Sequence, residues 1–306
     1  MTTRREFIAL AATAPLLRAV TARSVEVEYV FDAPGNDPKP NGLQATAEGL
    51  WIYDQTRAPS KAYLVRYEDG KVLRTLETDA MSGGGITFDG EAIWISSSYN
   101  CKIIRVDAHT GKTLASFDCP GVGPVNWLHP RTSPIARVHH GATLAAQGRG
   151  AGQERQRGAT AQAPGSGPQL DAGGRPRQAS TAANPQGRNP TGSHGLEWRD
   201  GKLWTVVPPA KTAYNLDPKT FAVLKKWPTA VDRPHGIGWE GRYLWAADTN
   251  MNAFHKYDPT TGEVLDMIQL KDTDPLPHGM TIWREDMWYA DDVGVICRLK
   301  TKFNKG

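Results

Sequence analysis

Tryptophan returns along this 306-residue chain at a nearly constant interval. Trp204, Trp245 and Trp288 are 41 and 43 residues apart, and Trp51 and Trp94 are 43 apart. A period of this length belongs to chains built from repeated units that bury their apolar faces against one another, as solenoids and propellers do. The runs around each tryptophan decide between the two. One unit reads "HGIGW", a Glu240-Gly241 turn, "YLWAAD", "NAFHKYD", a "PTTG" turn and "EVLDMIQL". These are short alternating segments without helical periodicity, as half-buried strands require. The turn before the last strand recurs as "YEDGKVL", "VDAHTGKTL", "LDPKTFAVL" and "YDPTTGEVL", with the Asp, Pro and Gly that tight turns need. The pattern predicts an all-β chain, a β-propeller of four-stranded blades.

Five blades are visible, at about 41–79, 83–119, 193–230, 234–271 and 277–306. The fifth supplies only three strands. The isolated strand "VEVEYVFD", Val25 to Asp32, is expected to complete it, so that the N-terminus closes the ring and removes an open sheet edge. Trp94 and Trp204 are 110 residues apart, and the excess over one period sits at 120–192. From Ala145 onward this stretch has almost no large apolar residue. It cannot bury enough surface to offset the entropy of ordering it, so a largely disordered insert is expected, with its earlier part as a partial cap. The alternative is a degenerate sixth blade. His140-Gly141 echoes the other blade starts, but Gly150 stands where a tryptophan would follow. The preferred division is therefore a leader at 1–22, propeller at 23–119 and 193–306, and an insert at 120–192.

Charge narrows the function. The net charge is +4 and no run of five like charges occurs, which excludes a nucleic-acid partner. The N-terminal "TTRREFIALAATAPLLRAVTARS" pairs Arg4 with Arg5 ahead of a weakly apolar stretch, and Val20 and Ala22 suit a cleavage point. This arrangement resembles a twin-arginine export signal and predicts a periplasmic or secreted protein. The segment is too short and too polar near Arg18 for a stable membrane anchor. Cys101, Cys119 and Cys297 are an odd number for an oxidising compartment. Cys101 and Cys119 could meet on neighbouring strands, though the sequence alone establishes no bridge, and the spacing of a structural zinc site is absent.

The first strand of each propeller blade lines the axis. His194, His235 and His278 each precede a glycine and stand ten residues before a tryptophan, so they are expected to converge. Asn41 and Gly84 fill the same position in the other two blades, and His140 reaches it from the insert. Such histidines can be fasteners, bonded to a neighbouring blade while the glycine allows close backbone approach. They can equally be ligands, since grouped neutral imidazoles suit zinc, iron, copper or nickel. His194, His235 and His278 are the candidate set for a divalent metal ion. His140 and Asp248 are the candidate acid–base residues. Asn41, Asn250, Asp291 and Lys211 are candidate small-molecule contacts in loops at the same end, where acids also serve as turn caps.

The blade starts "PHGIGWEGRYLWAAD" and "PHGMTIWREDMWYAD" resemble those of the streptogramin lyase (virginiamycin B lyase) group, whose repeats carry Gly-Ile/Leu, a turn and "LWFT(E/D)". They are similar more broadly to the six-bladed senescence-marker/gluconolactonase group. The resemblance covers the five blades and not 120–192. It implies a metal that polarises a substrate ester while a histidine removes a nearby proton, roles that would fall on His235 and His278. The chain departs from the lyase group in showing five blades where that group has seven, and the gluconolactonase metal set of Glu, Asn and Asp has no residue-by-residue match. Plant glutaminyl cyclases are also five-bladed, and their motifs are not evident. The expectation is an exported metal-dependent lyase or hydrolase acting on an ester or lactone. The alternative is a non-catalytic propeller that binds a ligand or a protein.

Overall fold

The computed structural model describes residues 20–36, 38–55, 59–124, 190–231, 233–271, 273–291 and 294–303. After an initial strand β1 (Val27–Asp32), blade I comprises β2 (Pro40–Ala45), β3 (Leu50–Asp54), β4 (Ser60–Val65) and β5 (Val72–Thr78). Blade II comprises β6 (Ile86–Phe88), β7 (Ala92–Ser97), β8 (Lys102–Asp107) and β9 (Thr113–Asp118). Two short strands follow, β10 (Gly123–Pro124) and β11 (Pro190–Thr191). Blade III holds β12 (Gly195–Arg199), β13 (Lys202–Val207), β14 (Thr212–Leu216) and β15 (Val223–Pro228). Blade IV holds β16 (Pro234–Glu240), β17 (Tyr243–Asp248), β18 (Ala253–Tyr257) and β19 (Val264–Gln269), and blade V adds β20 (Met280–Trp283), β21 (Asp286–Ala290) and β22 (Val295–Leu299). Every blade is an antiparallel meander. Among the described residues no helix is long and apolar enough to cross a membrane.

The fifth sheet takes its fourth strand from β1, which pairs antiparallel with β22 from Val27↔Leu299 to Asp32↔Val295. Just upstream, Arg23 bridges to the edge of blade IV. Its N–H donates to Met267 O and its carbonyl accepts from Gln269 N, both at 2.9 Å, and its guanidinium meets Asp266 at 3.0 Å. The N-terminal segment thus covers outer backbone groups of two neighbouring blades, which would otherwise be open pairing edges.

The described ends of the insert region lie side by side. β10 and β11 pair with each other, Gly123↔Thr191 and Pro124↔Pro190, so the chain leaves and re-enters at adjacent points. The inner strands β6 and β12 touch directly, as do β12 and β16, β16 and β20, β20 and β2, and β2 and β6. That closed sequence of neighbours makes a five-bladed ring and leaves no room for a sixth. Residues 125–189, including His140, lie outside the described residues.

The core is divided into wedges, one at each junction between blades. Trp245, Phe254, Met287 and Tyr289 pack between IV and V, while Trp51, Tyr53, Ile93 and Ile104 pack between I and II. The other three junctions are filled in the same way. The tryptophan period follows from this geometry, because each blade needs one large apolar plate at the same radius. A buried indole N–H also needs an acceptor. Trp94 Nε1 donates to Asp89 at 2.8 Å, and Trp245 Nε1 donates to Glu240 at 2.8 Å. Arg105 and Lys256 in turn pair with those acids at 2.9 and 2.7 Å.

Candidate functional site at the axis

The glycine after each blade-start residue explains half of the His-Gly repeat. A Cβ on Gly236 would run into the backbone N of Met280, and one on Gly195 into the carbonyl of His235. On Gly279 it would stand 2.8 Å from Asn41 O. Five inner strands around one axis approach backbone to backbone, and only glycine fits there. Asn41, Gly42, Gly85, His194, Gly195, Gly236 and Gly279 accordingly line a narrow cleft on the axis that leaves no room for a water molecule between the strands.

The preceding residues meet at one end of that cleft. Asn41, His194, His235 and His278 are 2%, 1%, 0% and 3% exposed. The imidazoles of His194 and His235 pack edge to face at 4.7 Å between centroids and 83°, and those of His235 and His278 at 4.5 Å and 89°. Threonines hold the rings. His194 Nε2 lies 2.9 Å from Thr191 Oγ1, and His235 Nδ1 lies 2.9 Å from Thr249 Oγ1. Thr249 donates its single hydroxyl proton to Pro277 O at 2.7 Å, so it must accept from His235. The Arg233 carbonyl, 3.1 Å from the same nitrogen, can only accept. His235 is therefore the Nδ1–H tautomer, with the lone pair on Nε2.

All three imidazoles are held neutral. Burial is the main cause, and the positive charge of Arg233 adds to it, lowering His194 to about 3 and His235 and His278 well below the ordinary histidine range. Asn41 Oδ1 and the Nδ1 atoms of His194 and His278 are buried without a hydrogen-bond partner.

The three candidate ligands for a divalent ion meet ring edge to ring face, and His194 and His278 each keep Nδ1 without a hydrogen bond. Among the described residues no group of three His, Cys, Asp or Glu side chains is disposed to hold a metal.

The acids after the second strand cap turns. Asp248 Oδ1 accepts from the backbone N–H of Arg233, Asn250 and Met251 at 3.3, 2.9 and 3.2 Å. Asp54 Oδ1 accepts from Lys39 N at 2.9 Å, and Asp291 Oδ1 from Val295 N at 3.1 Å. Asn250 is buried in the Asp248-capped turn, next to Thr249. Lys211 does not join them. It is exposed, in the left-handed conformation that closes the 3-10 turn Pro208–Ala210, where Cys101 and Asn252 stand in blades II and IV. The residue that matches Asp248 in blade III is Val207.

Two features escaped the sequence reading. Arg233, two residues ahead of His235, is the charge felt by all three histidines and by Tyr99. Three residues along each inner strand lies a second polar rung of Gln44, Thr87, Glu197 and Thr281, with Gly238 in blade IV. Thr87 donates to Gln44 Oε1 at 2.5 Å, and Thr281 to Glu197 Oε1 at 3.4 Å. Burial pushes the Glu197 carboxyl well above the usual range.

Comparison with known proteins gives a fold. The glutaminyl cyclase of Myxococcus xanthus superposes with a TM-score of 0.56 over 92% of this chain and 99% of that one, at 8% identity. Two Staphylococcus aureus virginiamycin B lyase structures also match. A catalytically inactive form with quinupristin has a TM-score of 0.44 at 16% identity, covering 87% of this chain and 67% of that one. A selenomethionine-substituted form has a TM-score of 0.43 at 14% identity, covering 90% and 99%. No family model matches the sequence, and no curated protein does. What the chain shares with Myxococcus xanthus glutaminyl cyclase is its β-propeller architecture.

Proposed function

We propose that this protein binds a small molecule at the blade-start end of its axis, over Asn41, His194, His235 and His278. One observation carries the reading: three buried polar atoms without partners, Asn41 Oδ1 and the Nδ1 atoms of His194 and His278, lie on a single rung. Each such atom costs about 1–3 kcal/mol when left unsatisfied. The fold does not demand that cost, because blade II fills the same position with Gly84 and no side chain at all. A bound molecule that completes these hydrogen bonds accounts for their being kept together.

The second observation is the fixed tautomer of His235, which orients its Nε2 lone pair as a hydrogen-bond acceptor. With its protonated form strongly disfavoured, His235 is a weak base, so ligand binding is the reading these side chains support best. The Arg4-Arg5 motif supports export of the folded chain. The site is tested by following the histidine side-chain resonances while small polar molecules are titrated in. Binding is expected to move His194 and His278. Saturable binding that leaves both unmoved contradicts the reading.

A further inference from the structure

The two cysteines of blade II stand opposite each other. Cys101 closes the 3-10 turn Ser98–Asn100 at φ 60°, and Cys119 directly follows β9. They extend the register of β8 and β9 one step beyond Lys102↔Asp118, with Cys119 N–H donating to Cys101 O at 2.9 Å. Residues opposed in this way have Cα atoms about 4.5–5.5 Å apart, inside the span of about 4.4–6.8 Å that a disulfide bridges. Gly192 packs on both. A Cβ there would stand 3.1 Å from Cys119 Sγ and 3.5 Å from Cys101 Cα. The direction of the Cys101 side chain is read from blade IV. Asn252 holds the same place at φ 53° and sends its side chain to Lys271 O at 2.8 Å. Lys271 corresponds to Pro120, because Leu270 N–H donates to Asn252 O as Cys119 N–H does to Cys101 O. Cys119 Sγ itself lies 3.4 Å from Pro120 O. Both side chains are therefore aimed at one carbonyl. The repeat does not require sulfur there, since the pair is Ser60 and Thr78 in blade I and Lys211 and Thr229 in blade III.

We infer that Cys101 and Cys119 are a redox pair that closes into an intramolecular disulfide beside Gly192, binding the ends of β8 and β9 covalently. Cys101 is half-buried, whereas Cys119 is buried and its thiol is pushed up to about 12 by that burial. Oxidation therefore enters at Cys101. The oxidant is a small disulfide such as oxidised glutathione. The Cys101 thiolate attacks one of its sulfurs and expels a glutathione thiolate, leaving a mixed disulfide. Cys119 gives its proton to solvent and attacks the Cys101 sulfur, expelling the second glutathione thiolate. Two protein thiols are oxidised, one glutathione disulfide is reduced, and the two protons end on the released thiolates. Ser193 N–H, which donates to Cys119 Sγ at 3.1 Å, supports negative charge on that sulfur as it attacks. Cys297 is buried in β22 of blade V and stands outside the pair.

The intact protein is reduced with dithiothreitol, freed of it, and then treated with oxidised glutathione. Thiols are counted by alkylation in denaturant. The reduced chain has three. The oxidised chain should have one, be two hydrogens lighter, and give a non-reduced digest in which the peptides of Cys101 and Cys119 are joined. It should also melt about 5 °C or more above the reduced form, because closing the loop between the two residues restricts the unfolded chain. A Cys297→Ser protein should keep the link and the shift, and a Cys101→Ser protein should lose both. Three free thiols after prolonged glutathione treatment overturn the inference. A glutathione adduct that persists on Cys101 does the same, since Cys119 is then out of reach. So does a link that joins two chains. None of these outcomes depends on a variant folding.

Discussion

His235 answers the question its repeat poses: it fastens blades and keeps a lone pair. Its Nδ1–H is fixed by Thr249, which also ties to Pro277 ahead of blade V. Truncating His235→Ala is expected to cost about 1–3 kcal/mol in denaturant unfolding, since a buried hydrogen-bonded ring is lost. The loss should be the same with and without a chelator. The histidines also set a pH dependence. Their folded-state pKa values are lowered, so their contribution is complete above about 6.5, the unfolded value, and is lost as pH falls below it. Unfolding free energy should therefore decline on acidification from pH 6.5, and less steeply in a His278→Asn protein. Glu197 works in the opposite sense. Its folded pKa is raised, so its contribution is present below about 4.3 and is lost as pH rises. Glu197→Gln should match the wild type near pH 4 and exceed it at pH 7. The sequence pattern placed the histidines together, because a strict repeat carries position. It was silent on Glu197, since an inward polar residue on an alternating strand looks like any outward one.

The inner strands and the outer turns obey different backbone rules. On the inner strands glycine is steric necessity, and Gly236→Ala should destabilise by about 3 kcal/mol or more, because rigid backbone of blade V stands in the way. At the outer turns glycine supplies a positive φ: Gly70, Gly111 and Gly262 have φ of 70°, 74° and 77°. Blade III has Phe221 there, at φ 59°. That conformation costs an ordinary residue about 1–2 kcal/mol. The ring offsets it by stacking on Phe117, with centroids 4.4 Å apart and planes at 5°. Phe221→Gly loses the stack and sheds the strain, whereas Phe221→Ala loses the stack and keeps it. Thermal melts should therefore rank wild type first, glycine second and alanine last. The four-stranded make-up of the blades was legible because turn chemistry and apolar alternation agree. Lys211 was misplaced because a 3-10 turn separates it from β13, so that it aligns with Cys101 and Asn252 instead of Asp248.

Five wedges of apolar side chains fill the junctions of the ring, and the N-terminal segment lies along its outer edge. β1 completes blade V while Arg23 ties to blade IV. A chain lacking residues 1–32 should therefore melt at a markedly lower temperature and self-associate, with the edges of β19 and β22 uncovered. The number of blades was written in the tryptophan period, and the pairing of β10 with β11 shows why 110 residues between two tryptophans did not add a sixth. The ligand end was only half legible. Repeats announce what is shared between blades, and Arg233, whose charge acts on all three histidines, occurs in one blade alone. The central claim is that the neutral rung of Asn41, His194, His235 and His278 is where this protein meets its ligand. The most direct measurement is the imidazole ¹H–¹⁵N spectrum of the intact protein at neutral pH as small polar molecules are titrated in to saturation. The account predicts that Nδ1 of His194 and His278 shift together along one binding curve while the exposed His109 stays in place. Binding that saturates with His194 and His278 unmoved would contradict it.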